Sequence, residues 1–435
     1  MLDKWIIEEC QKKLRGSVSP SGNKNEALPA ICAALLSEEE VILENVPDIT
    51  DVQDMLKILR SIGAKADYGR NTVRIQPCER YRLDDLDMDS AVRIRASFLL
   101  AGPLLAKHEE VFLPSPGGDP IGSRPLNVHF DLFEKLGIET CKEPGGYKMK
   151  RISRKKEENH LFLDEPSVMA TENILMLCAG LEREIIIENT ASEPHIQGLC
   201  RMLCGMGCRI SGTGSNRLII EGRKSLRGVR HRISLDHIEI GSFMSLAVAQ
   251  NCDLKIEYDR YENIRPIMNA FNWLGAEPLV SESHIELKER EGYMVSPPKG
   301  VEILKIADGP WPLFPSDLMS TVIVAATQCS GNVLFFEKMF ESRLYFVDEL
   351  IRMGARIIHC DPHRVVTMGP SPLRGIEISS PDIRAGYGLL IAALCARGNS
   401  VLRNSRTINR GYEDVLGKLK GLGACIRTGE PDKAF

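Results

Sequence analysis

The sequence predicts an α/β protein of two domains, each made of three compact βαβαββ units. Two observations carry this. An apolar helix end running into Gly and a small or apolar residue recurs six times, at Gly63, Gly137, Gly207, Gly275, Gly354 and Gly423. These glycines stand about 70 residues apart, too long for a solenoid repeat and suited to a βαβαββ unit. A chain of 435 residues with 43% hydrophobic content can also bury two substantial cores.

Each recurring phrase reads as a helix C-terminus, because Gly adopts the left-handed conformation that a Cβ resists. The preceding segments carry apolar residues at helical spacing, as in Met55, Leu56, Ile58, Leu59 and Ile62, or Val347, Leu350, Ile351 and Met353. Runs such as Val73–Ile75, Leu218–Ile220, Ile285–Leu287 and Val365–Thr367 read as the strands that follow. Cys200, Cys204 and Cys208 are spaced by four and are expected on one helix face as buried thiols.

Composition narrows the function. A net charge of −4 gives no electrostatic footprint for nucleic acid, and no apolar run approaches the ~20 residues of a membrane span. Met1–Trp5 lacks the apolar stretch of a secretory signal, so a cytoplasmic protein with its thirteen cysteines reduced is expected. No CxxC pair, Walker loop, G-x-G-x-x-G or G-x-S-x-G pattern is present, so neither a metal nor a cofactor is expected.

Chemistry concentrates in a few loops. Ser19 to Pro29 sets Lys24 at the entry of a helix expected over Ala30–Leu36, where free backbone N–H groups and a cation together favour an anion. Ser115 to Pro125 holds three glycines and three prolines around Asp119 and Arg124, the composition of a mobile lid. Arg95 opens the apolar stretch Phe98–Leu105 and needs an anionic partner. In the second half, Asp317 follows two prolines as a positioned base, and Arg343, Arg384 and Arg410 each adjoin a helical or apolar stretch. Guanidinium forks suit carboxylate and phosphate oxygens, so converging arginines imply a small substrate carrying both groups. Any one of them alone could be a surface ion pair.

Together these segments identify a family. From Ser21-Gly22-Asn23-Lys24-Asn25, through Pro116-Gly117-Gly118-Asp119-Pro120-Ile121-Gly122-Ser123-Arg124-Pro125, to Asn409-Arg410-Gly411-Tyr412-Glu413, the chain resembles the enolpyruvyl transferases almost end to end. The resemblance implies a two-domain inside-out α/β barrel with helices inside, residues 21–234 forming one domain and 1–20 with 235–435 the other. It implies an active site in the cleft between domains. Phosphoenolpyruvate would be the donor and a hydroxyl of UDP-N-acetylglucosamine the acceptor, in peptidoglycan precursor synthesis. Lys24, Arg124 and Arg410 would clamp the donor phosphate, and Arg343 and Arg384 its carboxylate. Asp317 would act as base, Asp119 as the acid that protonates C3, and Lys24 and Arg95 would assist at the reacting centre. Asn25, Arg95, Arg124, Pro125, Leu126, Asn127, His129, Ser167, Val168 and Asp317 would hold the acceptor.

The sequence departs from the family pattern at several places. Asp119 stands where most members carry Cys; Asp is a natural variant there, which keeps a proton donor and excludes covalent capture by a thiol. Glu165 replaces a usual Lys and Met169 a usual Gly in the stretch expected to face the sugar-nucleotide diphosphate. Asn127 replaces Asp, and His237 replaces Arg. The donor site is therefore expected intact and the nucleotide site altered. Two alternatives stand beside the expectation: an enolpyruvyl transferase with another nucleotide, sugar or hydroxylated metabolite as acceptor, and a non-catalytic paralogue that binds ligand.

Overall fold

A computed structural model describes residues 4–152 and 157–429. The chain divides into two compact units. Gly22–Gly118 with Arg124–Ser234 form the N-terminal unit, and Met1–Ser21, Asp119–Ser123 and Leu235–Phe435 form the C-terminal unit. The short loop segment Asp119–Ser123, expected within residues 21–234, thus falls with the C-terminal unit.

Among the described residues each unit holds three small sheets. The N-terminal unit has Arg230–Arg232, Val41–Glu44, Thr72–Gln76 and Lys65–Gly69 in one sheet, and Glu110–Pro114, Gly146–Arg151 and Ile138–Glu143 in the second. Its third is Arg209–Ser211, Arg217–Glu221, Glu184–Glu188 and His160–Phe162. Every four-stranded sheet repeats one pattern, a parallel edge pair followed by two antiparallel pairings.

The chain ends of the repeat are shared out unusually. Lys4–Ile7 pairs antiparallel with both Ser400–Arg403 and Ile426–Gly429, and so supplies the second hairpin strand of the sixth repeat. Arg15–Val18 runs parallel to Asp253–Glu257, while Arg230–Arg232 runs parallel to Val41–Glu44. All six recurring glycines have positive φ, from 76° at Gly137 to 109° at Gly207. Each ends an amphipathic helix whose apolar side packs on a sheet, and the hairpin strands begin within a few residues.

The helix that comes before the glycine-ended one in each repeat, in chain order, is different in kind. In the N-terminal unit these are α1 (Lys24–Ala33), α2 (Ala101–Lys107) and α3 (Val168–Ala179). In the C-terminal unit they are α4 (His237–Gln250), α5 (Met319–Thr327) and α6 (Ile383–Cys395). Their sequences are apolar or small on all sides, as a helix enclosed by sheets requires. In α4 every residue from His237 to Ala249 is buried. Its serines return their hydroxyls to the helix, Ser242 donating to the Ile238 carbonyl at 2.8 Å and Ser245 to the Gly241 carbonyl at 3.0 Å. The helices α4, α5 and α6 pack on one another, and α2 packs on α3. At that last crossing a Cβ on Gly102 would lie 2.4 Å from the Asn173 carbonyl oxygen.

Three local expectations need correction. The helix expected from Ala30 starts at Lys24, because the Asn23 side chain caps it by accepting the N–H groups of Asn25 and Glu26. Pro29 lies inside it and costs one internal hydrogen bond. Cys208 is not on the helix with Cys200 and Cys204, since that helix ends at Gly205, and Cys204 is exposed rather than buried. Ile351 is exposed although its neighbours Val347, Leu350 and Met353 are buried.

Candidate active site

In the C-terminal unit two buried arginines meet on one carboxylate. Asp317 lies in the single 3₁₀ turn Ser316–Leu318 that leads into α5. Arg384 is the second residue of α6, whose cap Asp382 accepts the N–H groups of Arg384 and Ala385 at 2.8 and 2.9 Å. Arg343 follows the strand Gly331–Phe336. Its NH2 donates to Asp317 Oδ1 at 2.8 Å, and Arg384 donates to Oδ2 from Nε at 3.0 Å and from NH2 at 2.9 Å. The arginines are 3% and 5% exposed. Burial opposes the charge of Arg384, but Asp317, Tyr412 and Asp236 outweigh it and raise its pKa above the usual arginine value.

Aromatic rings support both guanidinium groups. Arg343 lies 5.2 Å from the Phe340 ring and Arg384 5.0 Å from that of Tyr412. Tyr412 in turn stacks on Tyr387 at 4.3 Å, and its hydroxyl lies 3.0 Å from Ser242 Oγ on α4. One buried nitrogen of each arginine, Arg343 Nε and Arg384 NH1, donates no hydrogen bond within the protein. Such orphaned charged donors are what an oxyanion ligand would satisfy.

The second cluster of this unit is the loop. Arg410, at the end of the 3₁₀ segment Ser405–Arg410, donates from NH1 to Asp119 Oδ1 at 2.6 Å. Ser123 donates its backbone N–H to Glu341 Oε2 at 3.2 Å, and Ser342 donates its own to the Ile121 carbonyl at 3.1 Å. Gly122 sits at φ 139°, and a Cβ there would come within 2.1 Å of Glu341 Oε2.

In the N-terminal unit Lys24 Nζ pairs with Asp51 at 2.8 Å, both largely enclosed. Arg95, at the start of the 3₁₀ segment Arg95–Leu100, donates to the Arg124 carbonyl. Burial, and then the positive charge of Arg124, lower the Arg95 pKa to about 10. Asn25 is half-buried in the first turn of α1. Pro125 and Asn127 are exposed, whereas Leu126 and His129 turn into the core. His129 receives Asn173 Nδ2 at 3.1 Å and stands edge-on to Phe98 at 5.2 Å. Burial, then Arg95, lower its pKa to about 3, so it is neutral and offers a diphosphate no charge. Ser167 caps α3 by accepting the Ala170 N–H, and Val168 and Met169 are half-buried against the core. Glu165 is exposed. His237, at the start of α4, is likewise held neutral, burial lowering its pKa to about 4, and its ring meets Trp311 at 5.8 Å.

The sequence reading therefore found the cations and the carboxylates Asp119 and Asp317, and missed other groups that hold them. Asp51, Tyr412 as the platform of Arg384, and Glu341 as the anchor of the loop come from distant segments or lack a local signature. Among the described residues no group of His, Cys, Asp and Glu could hold a metal ion, and no helix is long and apolar enough to cross a membrane.

This fold is that of the enolpyruvyl transferases. The chain superimposes on the crystal structure of the enolpyruvyl transferase NikO from Streptomyces tendae with a TM-score of 0.87, at 22% identity and over 98% and 99% of the two chains. Residues 9–419 match the EPSP synthase (3-phosphoshikimate 1-carboxyvinyltransferase) family, and the chain belongs to it. Within that family it is 46% identical over 422 residues to a UDP-N-acetylglucosamine 1-carboxyvinyltransferase of Bradyrhizobium diazoefficiens, covering 97% of each chain. It is 47% identical over 420 residues to a protein of the same name from Treponema denticola, covering 96% of this chain and 97% of the relative.

Proposed function

We propose that the protein transfers the enolpyruvyl group of phosphoenolpyruvate to a hydroxyl of UDP-N-acetylglucosamine, releasing phosphate, as a cytoplasmic step of peptidoglycan precursor synthesis. One observation carries the donor: Arg343 and Arg384, both buried, converge on a single carboxylate and each keeps a further nitrogen that donates no hydrogen bond within the protein. The acceptor rests on the relatives of that name, which match along nearly the whole chain.

In this reading Arg343 and Arg384 bind the donor carboxylate, and Lys24, Arg124 and Arg410 its phosphate. Arg95 and Asn25 hold the acceptor and the reacting centre, together with Pro125, Asn127, Ser167 and the backbone of Leu126 and Val168. Asp317 takes the proton of the acceptor hydroxyl as its oxygen attacks C2. Asp119 gives its proton to C3, and a tetrahedral ketal results. The proton then returns from C3 to Asp119, the C2–O bond to phosphate breaks, and the enol ether is released with phosphate. Arginine charges at fixed positions stabilise the anionic ketal without reorganising.

Four of these cations already face a carboxylate of their own chain: Asp51 at Lys24, Asp119 at Arg410, and Asp317 at Arg343 and Arg384. The carboxylates occupy positions that donor oxygens would take. Glu165 is exposed and so free to turn toward solvent, which removes the repulsion expected of it against a diphosphate. Phosphate release from phosphoenolpyruvate that depends on UDP-N-acetylglucosamine tests the reading. Release that depends on a different hydroxyl acceptor would replace it with the second one.

A further inference from the structure

Behind Asp317 and Arg343 lies a buried carboxyl group that the proposed reaction does not use. Glu337 follows the strand Gly331–Phe336 and is fully buried. Ser316, the residue before Asp317, places its Oγ 2.9 Å from both carboxyl oxygens of Glu337. Glu337 Oε1 also accepts the backbone N–H groups of Met339 and Phe340 at 3.2 and 3.1 Å, at the start of the segment that leads to Arg343. One carboxyl thus ties the turn carrying Asp317 to the segment carrying Arg343.

A second carboxyl lies against it. Asp308 is also fully buried, and its Oδ1 accepts the Lys338 N–H at 2.5 Å. Its Oδ2 is enclosed with no donor from the rest of the protein. The Glu337 side chain interacts with Asp308, and a proton on Glu337 would supply a donor between the two carboxyls. Two enclosed carboxyls in contact do not both ionise at neutral pH. Burial first, and then Asp308, push the Glu337 pKa up to about 9, with Arg343 and Ser316 opposing. Next to Glu337 in the chain, the exposed Lys338 holds its ammonium over the Phe336 ring at 5.6 Å, and His363 Nδ1 lies 2.8 Å from the Glu337 backbone carbonyl.

We propose that Glu337 is a positioning residue: by holding Ser316 Oγ and the backbone N–H groups of Met339 and Phe340 on one buried carboxyl, it fixes the Ser316–Asp317 turn relative to Arg343, and so sets the base against the carboxylate clamp. This rests on the function proposed above for Asp317 and Arg343. A carboxyl ionised at the same place would add a second buried negative charge, draw Arg343 toward itself and loosen its hold on Asp317.

The test compares Glu337→Gln and Glu337→Ala. Gln keeps the acceptor oxygen and offers Asp308 a neutral N–H. It is expected to retain kcat/KM for phosphoenolpyruvate within about three-fold at neutral pH and to abolish the fall in activity around pH 9, whereas Ala lowers kcat/KM about ten-fold or more. Stability gives a readout independent of substrate. A carboxyl pKa raised in the folded state means that the unfolded chain ionises first, so wild-type stability is full below the ordinary value of 4.5 and declines as pH rises toward about 9. Glu337→Gln should flatten that decline in urea unfolding. Equal damage from Gln and Ala, or an unchanged stability slope in Glu337→Gln, would overturn the proposal. A wild-type protein that showed the slope but no turnover would instead count against the proposed function.

Discussion

Arg384 grips a single oxygen of Asp317 with two N–H groups, Nε at 3.0 Å and NH2 at 2.9 Å. The proposed base is thereby held by the cation assigned to the donor's carboxylate, and the two carboxylates compete for one fork. Removing the internal competitor should help the donor and harm the reaction. Asp317→Asn is expected to bind phosphoenolpyruvate about three- to ten-fold more tightly, while turnover falls by about 10²-fold or more for want of a base. Calorimetry on the variant with and without UDP-N-acetylglucosamine checks the first part. Weaker donor binding would show that Asp317 supports the clamp rather than occupying it.

Arg384→Ala should act in the opposite direction. It deletes a charge-assisted contact worth roughly 1.5–3 kcal/mol, or about ten- to hundred-fold in donor affinity. Arg384→Lys should recover little, because an ammonium cannot reach Asp317 through two N–H groups and also lie flat over the Tyr412 ring. Unchanged donor affinity in the Ala variant would remove Arg384 from the clamp.

The resemblance of the Pro116–Pro125 loop implies that Asp119 stands at the position where most of the family carries a thiol, and on that expectation an epoxide such as fosfomycin, which alkylates a thiol, should leave the loop unmodified. Asp119→Cys should restore sensitivity, and mass spectrometry of the loop peptide reads both. An adduct on wild-type Asp119 would contradict the assignment.

The loop itself is pinned where Gly122 passes Glu341. A methyl at Gly122 meets the Glu341 carboxylate and a φ of 139° that L-residues avoid. Gly122→Ala is expected to cost about 1–3 kcal/mol in local strain and to release the loop from Glu341, lowering kcat/KM about ten-fold or more with little change in overall unfolding. A Glu341→Ala, Gly122→Ala double variant no worse than Gly122→Ala alone would assign the effect to that contact.

What the residues revealed before the fold was known follows from how local each signal is. The six glycines were legible because a left-handed helix end is decided within one turn, and all six do take positive φ. The buried helices α3 to α6 were not, since a segment apolar on every side has no period to read. Pro29 concealed the true start of α1, which Asn23 fixes through its side chain. Lys24, Arg343, Arg384 and Arg410 stood out as cations at helix or loop entries, but Asp51, Asp308 and Glu337 gave no sign, because only folding brings such carboxyls beside them or beside each other. His129 looked like a ligand for an anion and proved to be a neutral core residue bonded to Asn173.

The measurement that bears most directly on the function is steady-state phosphate release by the purified chain from phosphoenolpyruvate, with UDP-N-acetylglucosamine and a panel of other hydroxylated nucleotides and sugars as acceptors. Saturable release that requires UDP-N-acetylglucosamine, forms its enolpyruvyl ether by mass spectrometry and disappears in Arg384→Ala is the result expected. Release with another acceptor and none with UDP-N-acetylglucosamine, or no release with any, would contradict it.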